Sequence, residues 1–235
     1  MAELEKSYWW HAGRKSIISQ QMRKLGLSKN AKILNVGCGT GGMIPLFEQY
    51  GDVVNIDVSD EALKYCKQLG FRNLKKYNGT TVPFKDSSYD LVVATDVLEH
   101  IEDDQAALKE WRRVLKPGGH MLITVPAYQW LWSDHDQELH HHRRYTASGL
   151  HRKTNEESLR VRKKTYAITF SFPLIVGYRL IDSILPNRKK KANTSYVLLP
   201  RPINSLFTNL LRLEAQCLRV INFPFGTSIL LIAEK

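Results

Sequence analysis

From Lys32 onward, short β-branched and aliphatic runs alternate with longer stretches in which apolar positions recur every three or four residues. Lys32 to Val36 (KILNV) reads as a strand running into glycines, and Met43 to Tyr50 as the helix that follows. Val53 to Val58 is a second strand, and Asp60 to Leu69 sets Ala62, Leu63, Cys66 and Leu69 on one helical face. Asn73 to Tyr77 is a weak third strand and Asp90 to Thr95 (DLVVAT) a buried fourth. Asp103 to Leu115 reads as a helix with acids at its start and Lys116-Pro117-Gly118-Gly119 as its stop. His120 to Val125 makes a fifth strand, Ala147 to Leu159 a helix, Arg160 to Phe172 a sixth strand and Phe225 to Lys235 a seventh. Strands alternating with helices of about a dozen residues require right-handed crossovers and a parallel sheet covered on both faces. The expected class is α/β, doubly wound and Rossmann-like.

The chain of 235 residues is 43% apolar with 14 Gly and 9 Pro, which excludes disordered and collagen-like classes and fits one domain. Cys38, Cys66 and Cys217 lie far apart with no C-x-x-C pair, so neither a disulfide framework nor a zinc ribbon is expected, and a reducing, cytoplasmic setting fits. The start, MAELEKSYWWHAGRKS, lacks the basic opening and apolar core of a secretory signal and is read as mature sequence. Net charge is +11, but residues 1–145 hold 19 Lys plus Arg against 18 Asp plus Glu, whereas residues 146–235 hold 15 against 5. Any basic partner surface therefore belongs to the C-terminal third.

The first strand ends in Val36-Gly37-Cys38-Gly39-Thr40-Gly41-Gly42, where an open parallel sheet binds its ligand, and glycines there admit close approach to the backbone. Twenty residues after Gly37, Asp57 ends the second strand, placed to accept both hydroxyls of a ribose. Loop and acid together indicate an adenosine-containing ligand. Because Gly37, Gly39 and Gly42 also satisfy G-x-G-x-x-G, the loop alone leaves a nicotinamide dinucleotide open.

Four segments in order carry a resemblance: VGCGTG (Val36 to Gly41), IDVSDEAL (Ile56 to Leu63), VPF with SYDLVVATDVLEHI (Val82 to Phe84 and Ser88 to Ile101), and RVLKPGGHMLIT (Arg113 to Thr124). The chain resembles class I S-adenosylmethionine-dependent methyltransferases of the type 11 group, over at least Ile33 to Val125. The resemblance implies a mostly parallel seven-stranded sheet with an antiparallel last strand. It also implies that Gly37, Gly39 and Gly41 face the methionine part of S-adenosyl-L-methionine, that Asp57 holds the ribose and that Val58 flanks the adenine. Relatives bind the adenine amine through an Asp; here the place is Asn78, followed by Gly79 and Thr80, and an Asn can either accept from the amine or donate to a ring nitrogen. Asp96 would lie beside the sulfonium end, with Asp90 a structural turn residue.

Methyl transfer from a sulfonium is an in-line displacement that needs positioning and water exclusion, and a hydroxyl acceptor benefits from a general base. His100, after the fourth strand, and His140 or His141, after the fifth, are the expected catalytic candidates, because both segments leave strand C-termini. The stretch Ser133 to Tyr145 (SDHDQELHHHRRY) contains metal-ligand types, but its spacing singles out no ligand set, so no metal is expected. Arg143 or Arg144 is read as an anion contact or an ion-pair partner. Similar enzymes use a helix before the first strand as a lid, implying that Trp9 or Trp10 closes the site; an aromatic staple onto the domain is the other reading.

The expected organisation is a single domain: residues 1–31 a helical lid, 32–172 the core, 173–224 a helical insert and 225–235 the last strand. The insert has apolar blocks Pro173 to Leu185 and Ile203 to Val220, separated by Asn187-Arg188-Lys189-Lys190-Lys191. Its longest apolar-leaning run, Ala167 to Tyr178, is 12 residues and contains Pro173, too short to span a bilayer. Leu206, Leu210, Leu213 and Cys217 share a helical face, which suits either a cover for the sheet or peripheral contact with a membrane. Nucleic-acid binding is not expected, because the basic residues are not interleaved with exposed aromatics. The expected function is methyl transfer to a small or lipid-like acceptor, at oxygen. A nicotinamide oxidoreductase and an inactive cofactor-binding regulator are the alternatives.

Overall fold

The computed structural model describes residues 8–177 and 199–235. Seven strands form one sheet in the order β3-β2-β1-β4-β5-β7-β6. They are β1 (Lys32–Val36), β2 (Asp52–Asp57), β3 (Leu74–Lys76), β4 (Tyr89–Thr95), β5 (Leu115–Pro126), β6 (Arg160–Ala167) and β7 (Ser228–Glu234). The first five run parallel, and β7 lies antiparallel between β5 and β6. The mostly parallel doubly wound sheet and its antiparallel last strand are thus as expected. The strand order reverses between β1 and β4, which opens a crevice beyond their carboxyl ends.

Alternate residues of the central strands feed two separate cores. Leu34, Val36, Val92, Ala94, Met121 and Ile123 pack with Trp111 on one face, and Ile33, Leu91, Val93 and Leu122 pack with Ile18 and Met22 on the other. A strand apolar at every position is what two covered faces demand. The second face is covered by α1 (Trp9–Lys24) and α7 (Arg201–Cys217). Gly13 lets them approach closely, since a Cβ there would lie 2.1 Å from Leu211 Cδ1. The other helices are α2 (Ile44–Phe47), α3 (Asp60–Gln68), α4 (Asp104–Val114), α5 (Asp134–Glu138) and α6 (Ala147–Glu156). Side-chain oxygens of Ser59, Asp103 and Thr146 cap α3, α4 and α6 by accepting amides of their first turns.

Several boundaries differ from expectation. The helix read over Met43 to Tyr50 shrinks to Ile44–Phe47, followed by turns through Tyr50 to Gly51. Lys116 to Gly119 do not merely stop α4: β5 begins at Leu115, and the ladder to β4 shifts register between Tyr89 and Leu91 to absorb the Pro-Gly-Gly stretch. β6 ends at Ala167 rather than Phe172, because Ile168 takes a left-handed φ of 59° and the Thr169 and Phe170 amides turn to the Glu214 carboxylate. On α7 the buried residues are Leu211, Glu214 and Ala215, while Leu206 and Leu213 are 57% and 52% exposed. Of the face read from the spacing, Leu206 and Leu213 therefore point outward, while Leu210 and Cys217 are half-buried. Asn187 to Lys191, most of the block Pro173 to Leu185 and the first seven residues lie outside the described residues.

Candidate functional site

Gly37, Gly39 and Gly41 follow β1 with φ of 68°, 51° and 83°. Two of them are glycine for reasons of packing: a Cβ would lie 2.4 Å from Val97 Cγ2 at Gly37 and 2.7 Å from Phe71 Cε2 at Gly41. Gly39 differs, since a Cβ there would meet nothing within 4 Å. It borders open space, as a cradle for a ligand must. The loop is latched to β2 by Asp57, whose buried carboxylate accepts the Gly39 N–H at 2.8 Å and the Ser59 N–H at 2.9 Å. Each oxygen retains a lone pair for a hydroxyl.

Beyond Asp57, Val58 is 53% exposed and lies against Gly79, whose φ is 87° and whose Cβ would sit 3.4 Å from Val58 Cγ1. An apolar side chain facing a glycine makes a wall suited to a flat ring. Asn78 folds back: its Oδ1 accepts from the amides of Thr80 (3.0 Å) and Thr81 (2.8 Å) and from the Thr80 hydroxyl (3.1 Å). With that oxygen engaged, what Asn78 can offer an adenine is its amide N–H, a donor to a ring nitrogen. The loop, Asp57 and this wall together fit the adenosyl half of S-adenosylmethionine.

Asp96 leaves β4 with φ 55° and is held on both sides. Its Oδ1 accepts the Thr124 hydroxyl at 3.0 Å, and its Oδ2 pairs with Arg14 Nη2 at 2.8 Å. Arg14 stacks on Trp10, 5.1 Å from the ring centroid, while Trp9 is buried against Phe207 at 5.1 Å. α1 thus reaches the crevice through Arg14, a residue that no periodicity in the sequence singles out. Asp90, at the opposite end of β4, accepts the Lys32 N–H and bonds Lys116, the structural role expected of it.

The histidines fall into two groups. His140 and His142 are exposed, and His140 has a left-handed φ of 55°. The turn that His140 makes swings His141 inward, where its ring meets that of His100 edge-on at 4.6 Å between centroids. The His142 N–H, donated to the Glu99 carbonyl at 2.8 Å, ties the loop to the exit of β4. Glu99, His100 and His141 each present a ligand atom, all within 4.8 Å of one another. Glu99 is fully buried, and neither of its carboxylate oxygens has a hydrogen-bond partner. Burial, and then the nearby Asp96 charge, push its pKa well above the usual carboxylate range. Partial desolvation of the His100 ring, in a residue otherwise exposed, and the His141 ring lower its pKa from the ordinary value.

Behind His141 stands Asp136, 0% exposed, with Oδ1 2.9 Å from His141 Nδ1 and bonds from Arg144 Nε (2.7 Å) and Nη2 (2.9 Å) and from the Ser133 N–H (2.8 Å). Burial works against this carboxylate, but the bonds from His141 and Arg144 more than reverse it, and its pKa is lowered. An ionised Asp136 selects the His141 tautomer with its proton on Nδ1, leaving Nε2 as an acceptor. Arg144 is therefore a structural partner, and Arg143 another, paired with Asp104 at 3.1 Å. In the sequence Glu99 and Asp136 stand inside the segments that supply the candidate bases, and Arg14 beside the N-terminal aromatics, but none of the three is singled out there as a site residue. Only Asp136 carried a local signal, the S-x-x-D capping box begun by Ser133.

Residues 34–123 match a family model described as a methyltransferase domain. Demethylmenaquinone methyltransferase from Staphylococcus aureus strain JH9 is 32% identical over 126 residues, 48% of this chain and 52% of that protein. The same enzyme from strain Newman matches equally, so the chain spans about half the length of the curated relatives it matches. Among solved structures, a SAM dependent methyltransferase from Archaeoglobus fulgidus shares the fold with a TM-score of 0.61 at 16% identity, covering 100% of this chain and 98% of that one. The [4+2]-cyclase SpnF also shares it, with a TM-score of 0.60 at 16% identity over 94% of this chain and 81% of that one.

Proposed function

We propose that this chain, whose residues 34–123 belong to the class I, type 11 methyltransferase domain family, transfers a methyl group from S-adenosylmethionine to a small, lipid-like acceptor, at oxygen. The observation that carries this reading is the packing of Gly37 on Val97. That contact sets the glycine loop beside the β4 exit, which bears Asp96, Glu99 and His100, with His141 packed on His100 from the loop after β5. On this reading the cofactor cradle and the titratable cluster share one crevice. Asp57 would hold the ribose, the backbone of Gly37, Gly39 and Gly41 the methionine part, and Val58, Asn78, Gly79 and Thr80 the adenine, with Asp96 near the sulfonium end. The sulfonium supplies an activated methyl group when bound. The chain supplies placement of the acceptor oxygen in line with that methyl, and a cluster that lowers the cost of the oxygen losing its proton.

The acceptor class draws support from the relatives named for demethylmenaquinone and from the outer face of α7. There Ile203, Leu206, Leu213 and Val220 are exposed, flanked by Arg201, Arg212 and Arg219. No helix among the described residues is long and apolar enough to cross a membrane. A surface that is both apolar and basic suits a cytoplasmic protein that docks reversibly on a membrane to collect a lipid-like acceptor.

Calorimetry with S-adenosylhomocysteine against NADH tests the cofactor assignment, and tight binding of NADH alone would replace it with the oxidoreductase reading. Asp57→Ala should weaken S-adenosylhomocysteine by about 1.5–3 kcal/mol, the worth of a hydrogen bond to a charged group; unchanged affinity removes Asp57 from the site. His141→Gln should depress methyl transfer to an acceptor found by screening extracts with labelled donor, whereas His140→Gln should not. Both variants should keep the affinity for S-adenosylhomocysteine. Equal activity in the two would take His141 out of the reaction.

A further inference from the structure

We propose that Glu99, His100 and His141 form a binding site for one divalent transition-metal cation of the Zn²⁺, Fe²⁺ or Mn²⁺ class. Its role in the reaction rests on the methyltransferase reading above, although the binding itself does not. Two imidazoles and one carboxylate are a ligand set that suits these ions better than Mg²⁺ or Ca²⁺, which prefer oxygen throughout. Ligands about 2.0–2.2 Å from one ion lie at most about 4.4 Å apart. The three ligand atoms here, all within 4.8 Å of one another, need only small side-chain rotations to close on a shared point.

Three further observations point to a cation. Glu99 is 0% exposed, and both of its carboxylate oxygens lack a hydrogen-bond partner. A carboxyl group buried in that state costs stability that only a counter-charge or a ligand restores. The outer shell is already built: Asp136 accepts from His141 Nδ1 at 2.9 Å and is itself fixed by Arg144, so Nε2 is left for a metal. His100 is exposed, which gives the cluster a path of access from solvent, and three protein ligands would leave a coordination position for a further one. The cations nearest the cluster, Arg14 and Arg144, are matched by Asp96 and Asp136, so their charge does not repel an ion outright. An ion held there would polarise an acceptor hydroxyl bound at a remaining coordination position; as its oxygen bonds the methyl carbon, the methyl–sulfonium bond would break to release S-adenosylhomocysteine, and the hydroxyl proton would pass to solvent.

The full chain, stripped with chelator and then dialysed free of it, is titrated with Mn²⁺ followed by the resonance of free Mn²⁺, and with Zn²⁺ by calorimetry. One equivalent should bind. Glu99→Gln and His141→Gln should each weaken binding by roughly 100-fold or more, at least as much as losing an outer-shell partner costs, while His140→Gln and His142→Gln should leave it unchanged. Thermal melting gives a second readout independent of activity. Glu99→Gln removes an unpaired buried carboxyl, so it should melt no lower than the parent without metal, and it should lose the rise in Tm that metal gives the parent. No saturable binding, or binding that survives both Glu99→Gln and His141→Gln, overturns the site. Failure to bind S-adenosylhomocysteine would instead overturn the methyltransferase reading, and leaves the ion titration to stand by itself.

Discussion

Gly39→Val is expected to abolish measurable binding of S-adenosylhomocysteine while the chain stays folded. Two effects act at this position. The left-handed backbone, with φ 51°, strains any branched residue by about 1–2 kcal/mol. The new side chain also enters space in which a Cβ meets no protein atom within 4 Å, the space that the proposed reading gives to the cofactor. Gly118→Val separates the two, because Gly118 also has a positive φ (75°) and an open Cβ position but lies at the start of β5, remote from the crevice. Both variants should lose similar stability in denaturant. Only the first should lose affinity, by at least about 100-fold or roughly 2.8 kcal/mol. Normal binding by Gly39→Val would show that the loop is not the cofactor cradle.

The largest effect on stability should come from Asp136→Asn. Its carboxylate is fully buried and joins α5, His141 and Arg144, and removing one partner of a buried ion pair typically costs about 3–5 kcal/mol because the other charge is left unmatched. Chemical denaturation reads the loss directly. The pH dependence provides a second check. Because the folded-state pKa of Asp136 lies below its unfolded value, the unfolded chain binds more protons across that interval, and the stabilisation is complete above the unfolded carboxylate pKa and lost as pH falls. The parent should weaken on acidification below about pH 5, and the variant should show a flatter acid limb. A loss below about 1 kcal/mol would mean that Arg144 finds another partner.

The strands and the glycine loop were legible because they obey short-range rules. KILNV, VVNID and DLVVAT each hold two or more consecutive apolar residues, and glycines follow the first of them. What could not be read depends on what packs where. On α7 the residues facing the sheet include Glu214, whose carboxylate accepts the Thr169 and Phe170 amides, and the small Ala215. An inward face carrying an acid and a methyl is less apolar than the row of leucines beside it, so the spacing left open whether that row covers the sheet or faces out, and Leu206 and Leu213 face out. Pro117 and the two following glycines read as punctuation, yet the register shift in the β4–β5 ladder accommodates them within a strand. In the histidine run, residue type was informative and direction was not. The positive φ at His140 turns His141 inward, and neither spacing nor composition carries that sign.

The slot that β7 fills has a consequence for how the chain reaches this state. His120 pairs with Glu234 and Arg160 also pairs with Glu234, so one late segment joins two strands that do not touch each other, the first of them more than a hundred residues away. Until that segment arrives, β5 and β6 each present an open row of amides and carbonyls, and β6 has no place in the sheet at all. Contacts this distant along the chain form slowly, because the closure entropy must be met before any ladder bond repays it. The crevice side of the sheet, β1 through β5, is made of nearer pairings. The crevice half can therefore assemble before the last strand is in place, and until β7 inserts, neighbouring chains can compete for the same unpaired strands.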